Sequence, residues 1–317
     1  MVIAFLLVLL GFVALILGAN WMVEGASALA RRHNVPDLVI GLTIVAFGTS
    51  MPELVVNIIA SLDGYSDIIL ANIVGSNNFN LFIILGISGI ILPITVKSST
   101  AWKEIPIAIF ISVFLILLLN NFWLSLQSQL SRWDGISMLA LFFLFLYYVF
   151  LQLKKEPISP KQHLHHSLFK TWFLILIGLG GLIVGGQLVV NKSVAIANHF
   201  GMSEKMIGLT ILAAGTSLPE LVTSIVAALK KNSDIAIGNV IGSNIFNILL
   251  VLSLSSILHP ITYHPKFNID FYILIGGSLF LLIAMLTGKR KKLDRWEASL
   301  LVGFYLTYTI LLVAKEI

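Results

Sequence analysis

Gly48-Thr49-Ser50-Met51-Pro52-Glu53 and Gly215-Thr216-Ser217-Leu218-Pro219-Glu220 are two copies of one phrase, 167 residues apart (48 to 215) in a chain of 317. The correspondence runs outward without a gap. Gly41-Leu42-Thr43-Ile44 precedes the first copy and Gly208-Leu209-Thr210-Ile211 the second. Beyond them Asp67 matches Asp234, Asn72 matches Asn239, and Gly75-Ser76-Asn77 matches Gly242-Ser243-Asn244. Phe79-Asn80 matches Phe246-Asn247, and Pro93 and Thr95 match Pro260 and Thr262. Each copy sets one carboxylate, hydroxyls and amides inside an apolar segment, where polar groups are costly and mark a function.

Composition places those segments in a membrane. The chain is 58% hydrophobic and 11% charged, with mean hydropathy +0.98, whereas a soluble domain carries about 25% charged residues. Apolar runs of about 20 residues recur along the whole length. There is no cysteine, which excludes disulfides, thiolate metal sites and thiol catalysis. The basic balance, +5, sits in short loops, which favours membrane topology over nucleic-acid binding. Met1–Leu10 has no basic leader and its apolar run continues past Gly18, so a cleaved signal peptide is not expected.

The pattern predicts an all-α membrane protein of ten transmembrane helices. The first five run over 2–29, 36–62, 67–92, 104–120 and 134–153, and the second five over 171–197, 205–229, 234–259, 269–287 and 297–314. This divides the chain into a five-helix repeat (1–153), a linker (154–170) and a second repeat (171–317). Five spans are odd in number, so the second copy enters the membrane from the opposite side and the repeats are inverted. With the N-terminus outside, the inside loops hold 15 of the 20 Lys and Arg, among them Arg31, Arg32, Lys103, Lys161, Lys230, Lys231 and Lys292. The expected orientation is therefore both termini outside and the central linker in the cytoplasm. Trp102, Trp123, Trp133, Trp172 and Trp296 fall near span ends, as interfacial anchors do. His163, His165 and His166 in the linker lack acidic or cysteine partners and read as solvated. Glu24, Asp63, Asp67 and Asp234 lie near span ends and read as interfacial, solvated or capping.

On a helix Ala46, Thr49, Ser50 and Glu53 share one face. Pro52 cannot donate to the carbonyl four residues back and pushes it aside. The break is expected to free carbonyl oxygens beside a carboxylate, and irregular backbone at membrane depth is tolerated only along a cavity or within protein. Ala213, Thr216, Ser217, Pro219 and Glu220 repeat the arrangement. Ser76 with Asn80, and Ser243 with Asn247, are four residues apart and present two oxygens on one face. The pooled set is all oxygen, which suits hard cations, and a flexible cage of many oxygens suits Ca²⁺ better than Mg²⁺. Two glutamates balance one Ca²⁺ or two Na⁺, so a third Na⁺ would make a cycle electrogenic. A channel is the competing transport class, which an inverted repeat argues against. An intramembrane enzyme would need a core His or Lys beside the serines, which these segments lack; the chain is not expected to be an enzyme.

Gly-Thr-Ser-x-Pro-Glu followed by Gly-Ser-Asn, in both halves, resembles the sodium/calcium exchangers of the calcium/cation antiporter superfamily, in their short prokaryotic form. The resemblance covers nearly the whole chain. It implies Na⁺/Ca²⁺ antiport in an inner cell membrane, with H⁺-coupled Ca²⁺ antiport as the alternative, the ions themselves and membrane lipid as the partners, and no cofactor, nucleic acid or obligatory protein partner. It implies a core of the second, third, seventh and eighth spans, with the first and sixth sliding across it; Gly178, Gly180, Gly181, Gly185 and Gly186 suit such sliding. Glu53, Glu220, Thr49 and Thr216 are implied as central Ca²⁺ ligands. Ser50, Ser217, Ser76, Ser243 and the carbonyls of Ala46 and Ala213 are implied in flanking Na⁺ sites, and Asn80 and Asn247 in the middle. Many relatives carry Asp at the position of Asn247, and in the potassium-dependent branch that Asp is tied to K⁺; two Asn here imply no K⁺ dependence.

Overall fold

The computed structural model describes residues 2–33, 35–95, 100–120, 129–152, 167–199, 213–287 and 292–316. Most of the expected linker, with its three histidines and Lys161, lies outside the described residues, as do Trp123 and the start of the expected seventh span. The described chain is all helix apart from four two-residue strands. Its helices are α1 (Val2–Arg32), α2 (Asp37–Thr49), α3 (Met51–Leu62), α4 (Ser66–Ile91), α5 (Trp102–Leu119) and α6 (Arg132–Gln152). They continue with α7 (Leu168–His199), α8 (Ala213–Thr216), α9 (Leu218–Leu229), α10 (Ser233–Leu258), α11 (Pro265–Thr287) and α12 (Arg295–Glu316). Among the described residues seven helices are long and apolar enough to cross a membrane, and the pair α2 and α3 makes an eighth when counted as one span.

The expected second span is not one helix. It bends by 47° between Thr49 and Met51. Ser50 carries the bend, with φ −81° and ψ 5°, because Pro52 follows in the first turn of α3 and has no N–H to carry the ladder through. Ser217 holds φ −89° and ψ 9° before Pro219, so the second copy breaks in the same way. Single π-helical turns, Phe79–Ile84 in α4 and Asn247–Leu252 in α10, start within one residue of corresponding positions. Such turns widen the helix and leave backbone and side chains out of the ordinary register, a device frequent at functional sites.

The layering is inside-out relative to a soluble protein. The apolar stretch of α10 is 89% buried and that of α4 is 72% buried, against 22% for α1. Outer helices instead expose large apolar side chains such as Ile3, Phe169 and Ile310, a surface suited to hydrocarbon. Trp102, Trp133, Trp172 and Trp296 are exposed near helix ends. The polar residues go to the centre: Thr49, Glu53, Asn80, Ser217, Glu220, Asn239, Ser243 and Asn247 are all fully buried.

Two contacts set the frame. Helices α1 and α7 touch backbone to backbone through glycines. A Cβ on Gly18 would lie 2.7 Å from the Gly178 carbonyl oxygen, and one on Gly178 would lie 2.6 Å from the Met22 nitrogen. Helices α2 and α10 approach equally closely at Gly41 and Gly238, whose Cα atoms would each lie about a van der Waals contact or less from the other's added Cβ, at 3.0 and 3.1 Å. The chain ends of the helices are tied by two short antiparallel pairs. Strand β1 (Ile94–Thr95) pairs with β4 (Lys292–Leu293), and β2 (Gln129–Leu130) with β3 (Ile261–Thr262). Asp67, expected to be solvated, accepts from Lys266 at 2.7 Å and lies 2.8 Å from His264 Nδ1. Loops expected on one side of the membrane are the ones that meet in these pairs.

Candidate ion-binding site

The two helix breaks face each other across the centre, and their side chains exchange hydrogen bonds. Ser50, at the first break, donates to Glu220 Oε1 at 3.0 Å. Ser217, at the second, donates to Glu53 Oε1 at 3.1 Å. Ser243 of α10 also reaches Glu220 Oε1 at 3.5 Å. Each carboxylate therefore has one oxygen held by a serine of the other half. The second oxygens, Glu53 Oε2 and Glu220 Oε2, are buried and have no hydrogen-bond partner among the described residues.

The amides follow the same rule. Asn80 Nδ2 donates to Asn244 Oδ1 at 3.1 Å, and Asn247 Nδ2 donates to Asn77 Oδ1 at 3.0 Å. Their own carbonyl oxygens, Asn80 Oδ1 and Asn247 Oδ1, are buried without a partner among the described residues, as is Ser76 Oγ. A buried acceptor left unsatisfied costs about 1–3 kcal/mol, a cost that coordination of a cation offsets. The chemistry of the set fits a hard cation. It is oxygen throughout, carries two carboxylates, and among the described residues no cluster of three or more His, Cys, Asp or Glu forms a tight resident metal site. A cargo ion that must leave again is better matched by few charges and many neutral oxygens.

The threonines are placed by a further layer of asparagines. Thr49 Oγ1 donates to Asn239 Oδ1 at 3.1 Å, with the Ala46 carbonyl 3.3 Å away. Thr216 Oγ1 donates to Asn72 Oδ1 at 3.3 Å. Three pairs of these bonds map onto one another under the 167-residue offset: Ser50–Glu220 onto Ser217–Glu53, Thr49–Asn239 onto Thr216–Asn72, and Asn80–Asn244 onto Asn247–Asn77; the Ser243–Glu220 bond has no counterpart at Ser76 among the described residues.

Of the twelve expected residues, Ser50 and Ser243 bond Glu220, Ser217 bonds Glu53, and Thr49, Thr216, Asn80 and Asn247 bond asparagines of the other half, whereas Ser76 is buried without a partner among the described residues. The Ala46 carbonyl is not freed by the break, since it accepts the Ser50 N–H at 3.0 Å. Proline removes the donor of residue 52, whose helical acceptor would be residue 48, so the four-residue bond that is lost is the one to Gly48 and not one to Ala46. Ala213 opens α8, and Thr216 is only partly buried where Thr49 is fully so. Four residues were outside the expected set: Asn72, Asn77, Asn239 and Asn244. Their signal was available, because each is an amide kept at the same offset within an apolar helix. Asn57 and Ser224, another matched pair, are fully buried behind the glutamates; Asn57 Nδ2 donates to the Glu53 carbonyl at 2.7 Å.

Comparison with known proteins agrees with this geometry. The sequence model of the family described as sodium/calcium exchanger protein matches the chain over residues 3–151 and 170–314. The CaxA protein of Alkalimonas amylolytica is 39% identical, covering 99% of this chain and all of that protein (100%). The inner membrane protein YrbG of Escherichia coli K12 is 33% identical over 98% of this chain and 97% of its own length. The sodium/calcium exchanger MaX1 of Methanosarcina acetivorans is 31% identical, covering 97% of this chain and 98% of its own. The solved structure of the sodium-calcium exchanger NCX_Mj soaked with 2.5 mM Na⁺ and 10 mM Sr²⁺ superposes with a TM-score of 0.84 at 31% identity, covering 96% of this chain and 97% of that one. Family, fold and an all-oxygen centre converge on one conclusion: the chain belongs to the sodium/calcium exchanger family, as a transporter and not an enzyme.

Proposed function

We propose that this protein is a secondary antiporter that exchanges Na⁺ for Ca²⁺ by alternating access, through ten membrane spans arranged as two inverted five-helix repeats. One observation carries the reading. Two fully buried glutamates, one from each helix break, are each held by the other half's serine and each keep one oxygen for a cation. The names of relatives such as MaX1 support the choice of ions. The reciprocal hydrogen bonds and the two-part match of the family model support the repeats, divided as 1–153, 154–170 and 171–317.

In this reading Glu53, Glu220, Thr49 and Thr216 bind Ca²⁺ at the centre. Ser50, Ser217, Ser76, Ser243 and the Ala46 and Ala213 carbonyls serve Na⁺ on either side, and Asn80 and Asn247 offer their Oδ1 atoms between the glutamates. Two negative charges match one Ca²⁺ or two Na⁺, so binding one kind of ion excludes the other, which is the essence of exchange. Helices α1 and α7, which present glycine-lined backbone to each other, are the pair that moves across the core. The loop charges favour both termini outside and the central linker in the cytoplasm. No cofactor or protein partner is required by this scheme.

The test is ⁴⁵Ca²⁺ uptake by proteoliposomes, first with an outward Na⁺ gradient and then with a pH gradient alone. Uptake driven by Na⁺ and not by the pH gradient is expected. Uptake driven only by the pH gradient would assign the same two carboxylates to H⁺-coupled Ca²⁺ antiport instead.

A further inference from the structure

Four hydrogen bonds around the centre share one direction. Thr49 and Thr216 give their hydroxyl hydrogens to Asn239 and Asn72, and Asn80 and Asn247 give amide hydrogens to Asn244 and Asn77. Every one of these bonds crosses from one half of the chain to the other. In each, the outer asparagine accepts through Oδ1. A hydroxyl whose hydrogen is engaged in this way has only lone pairs left to present. A carboxamide whose nitrogen is engaged is fixed with its oxygen on the other side.

Three of the four outer asparagines cannot turn around. Asn239 Nδ2 donates to Ser224 Oγ at 2.9 Å and to the Glu220 carbonyl at 3.3 Å. Asn77 Nδ2 donates to the Asn244 carbonyl at 3.3 Å, and Asn244 Nδ2 returns a bond to the Asn77 carbonyl at 3.2 Å. Exchanging nitrogen and oxygen would set Asn77 and Asn244 donor against donor and acceptor against acceptor, and would set Asn239 Oδ1 against the Glu220 carbonyl oxygen, while the Thr49 and Ser224 hydroxyls can serve either way. Asn72 differs: its Nδ2 is buried with no partner among the described residues.

Resting on the cation-exchange reading above, we propose that Asn77, Asn239 and Asn244 are positioning residues that force the inner ligands to face the ion as acceptors only. They touch no ion themselves. Their fixed amides turn the hydrogens of Asn247, Thr49 and Asn80 outward, so these three ligands offer a cation lone pairs and no hydrogen. The unpinned Asn72 leaves Thr216 the less constrained threonine of the pair. Outer groups that orient metal ligands typically carry about 10–100-fold of metal affinity.

The test is equilibrium ⁴⁵Ca²⁺ binding to the purified full chain, with thermal unfolding in Ca²⁺-free buffer as a measure of folding. Wild type is expected to bind Ca²⁺; if it does not, the cation site fails and the positioning role with it. Asn77→Ala and Asn247→Ala should each weaken binding about tenfold or more, and the double substitution should be no weaker than the worse single one, because Asn77 acts only through Asn247. Additive losses, or unchanged affinity in Asn77→Ala, would overturn the proposal while leaving the cation site standing. Should Asn77→Ala unfold, the pair Asn239→Ser and Thr49→Val gives the same cycle. There, Asn239→Ser should weaken binding more than Asn72→Ser, and the reverse order would refute the pinning of Asn239.

Discussion

Replacing Glu53 by Gln removes one of two charges from a site that solvent does not reach. Glu53 is fully buried, its Oε1 is held by Ser217 at 3.1 Å, and its Oε2 has no partner among the described residues. Gln keeps the size and an acceptor for Ser217. It then puts an N–H₂ where Oε2 was, so the loss is of charge and lone pairs, not of packing. A carboxylate oxygen sits about 2.4 Å from a bound Ca²⁺. At an effective dielectric of about 20, one unit charge facing a divalent ion at that distance contributes about 14 kcal/mol. Dehydration cancels most of this. If roughly a third survives, about 4–5 kcal/mol, affinity falls more than about a thousandfold. Glu220→Gln should behave alike, since Ser50 holds Glu220 Oε1 at 3.0 Å. The assay is Na⁺-driven ⁴⁵Ca²⁺ uptake by proteoliposomes containing matched amounts of folded wild type and variant. Near-normal uptake by either variant would refute the central role of the glutamate pair.

Other outcomes follow from the same structure. Gly178→Leu should cost about 1–3 kcal/mol by overpacking and slow transport more than it weakens Ca²⁺ binding, since even a Cβ there meets Met22 nitrogen at 2.6 Å; paired measurement of flux and binding checks this, and equal losses would argue against movement at the α1–α7 contact. Cysteines replacing Lys161 or Asp63 should be labelled from the cytoplasm and from outside respectively, and the opposite pattern would reverse the proposed orientation. Uptake should rise when an imposed potential favours outward positive charge, because two glutamates do not balance three Na⁺; indifference to potential would count against that stoichiometry. Replacing all K⁺ by choline should leave Na⁺-driven Ca²⁺ uptake unchanged, and its disappearance would show that Asn247 does not mark a potassium-independent exchanger.

The offset of 167 residues between the two motifs, visible in the chain, already told which residues correspond. Apolar length located the helices other than the seventh expected span, whose start lies outside the described residues, to within a few residues, because a bilayer of fixed thickness demands spans of fixed length. Glu53 and Glu220 stood out for a similar reason: a carboxylate inside an apolar run has no cheap explanation. Proline marked the breaks, although the 47° bend and the retention of the Ala46 carbonyl in its helix are properties of the folded backbone. The short strands at the loops escaped notice, since two residues carry no periodicity.

What the tertiary structure alone decided is which half supplies each partner. Ser50 and Glu53 lie three residues apart, yet Ser50 bonds Glu220 and Ser217 bonds Glu53. Spacing along a helix says which side chains share a face, and nothing about what that face meets. The asparagines show the same limit. Asn77 and Asn244 sit in the motif in plain view, but an amide can donate or accept from either end. Their direction is set only once α4 and α10 cross closely enough for each to bond the other's backbone carbonyl, at 3.3 and 3.2 Å. The sequence by itself determined the membrane class, the duplication and the oxygen-bearing side chains inside apolar helices. Packing of one half against the other determined the orientation of those ligands, because hydrogen-bond direction depends on neighbours distant in the chain.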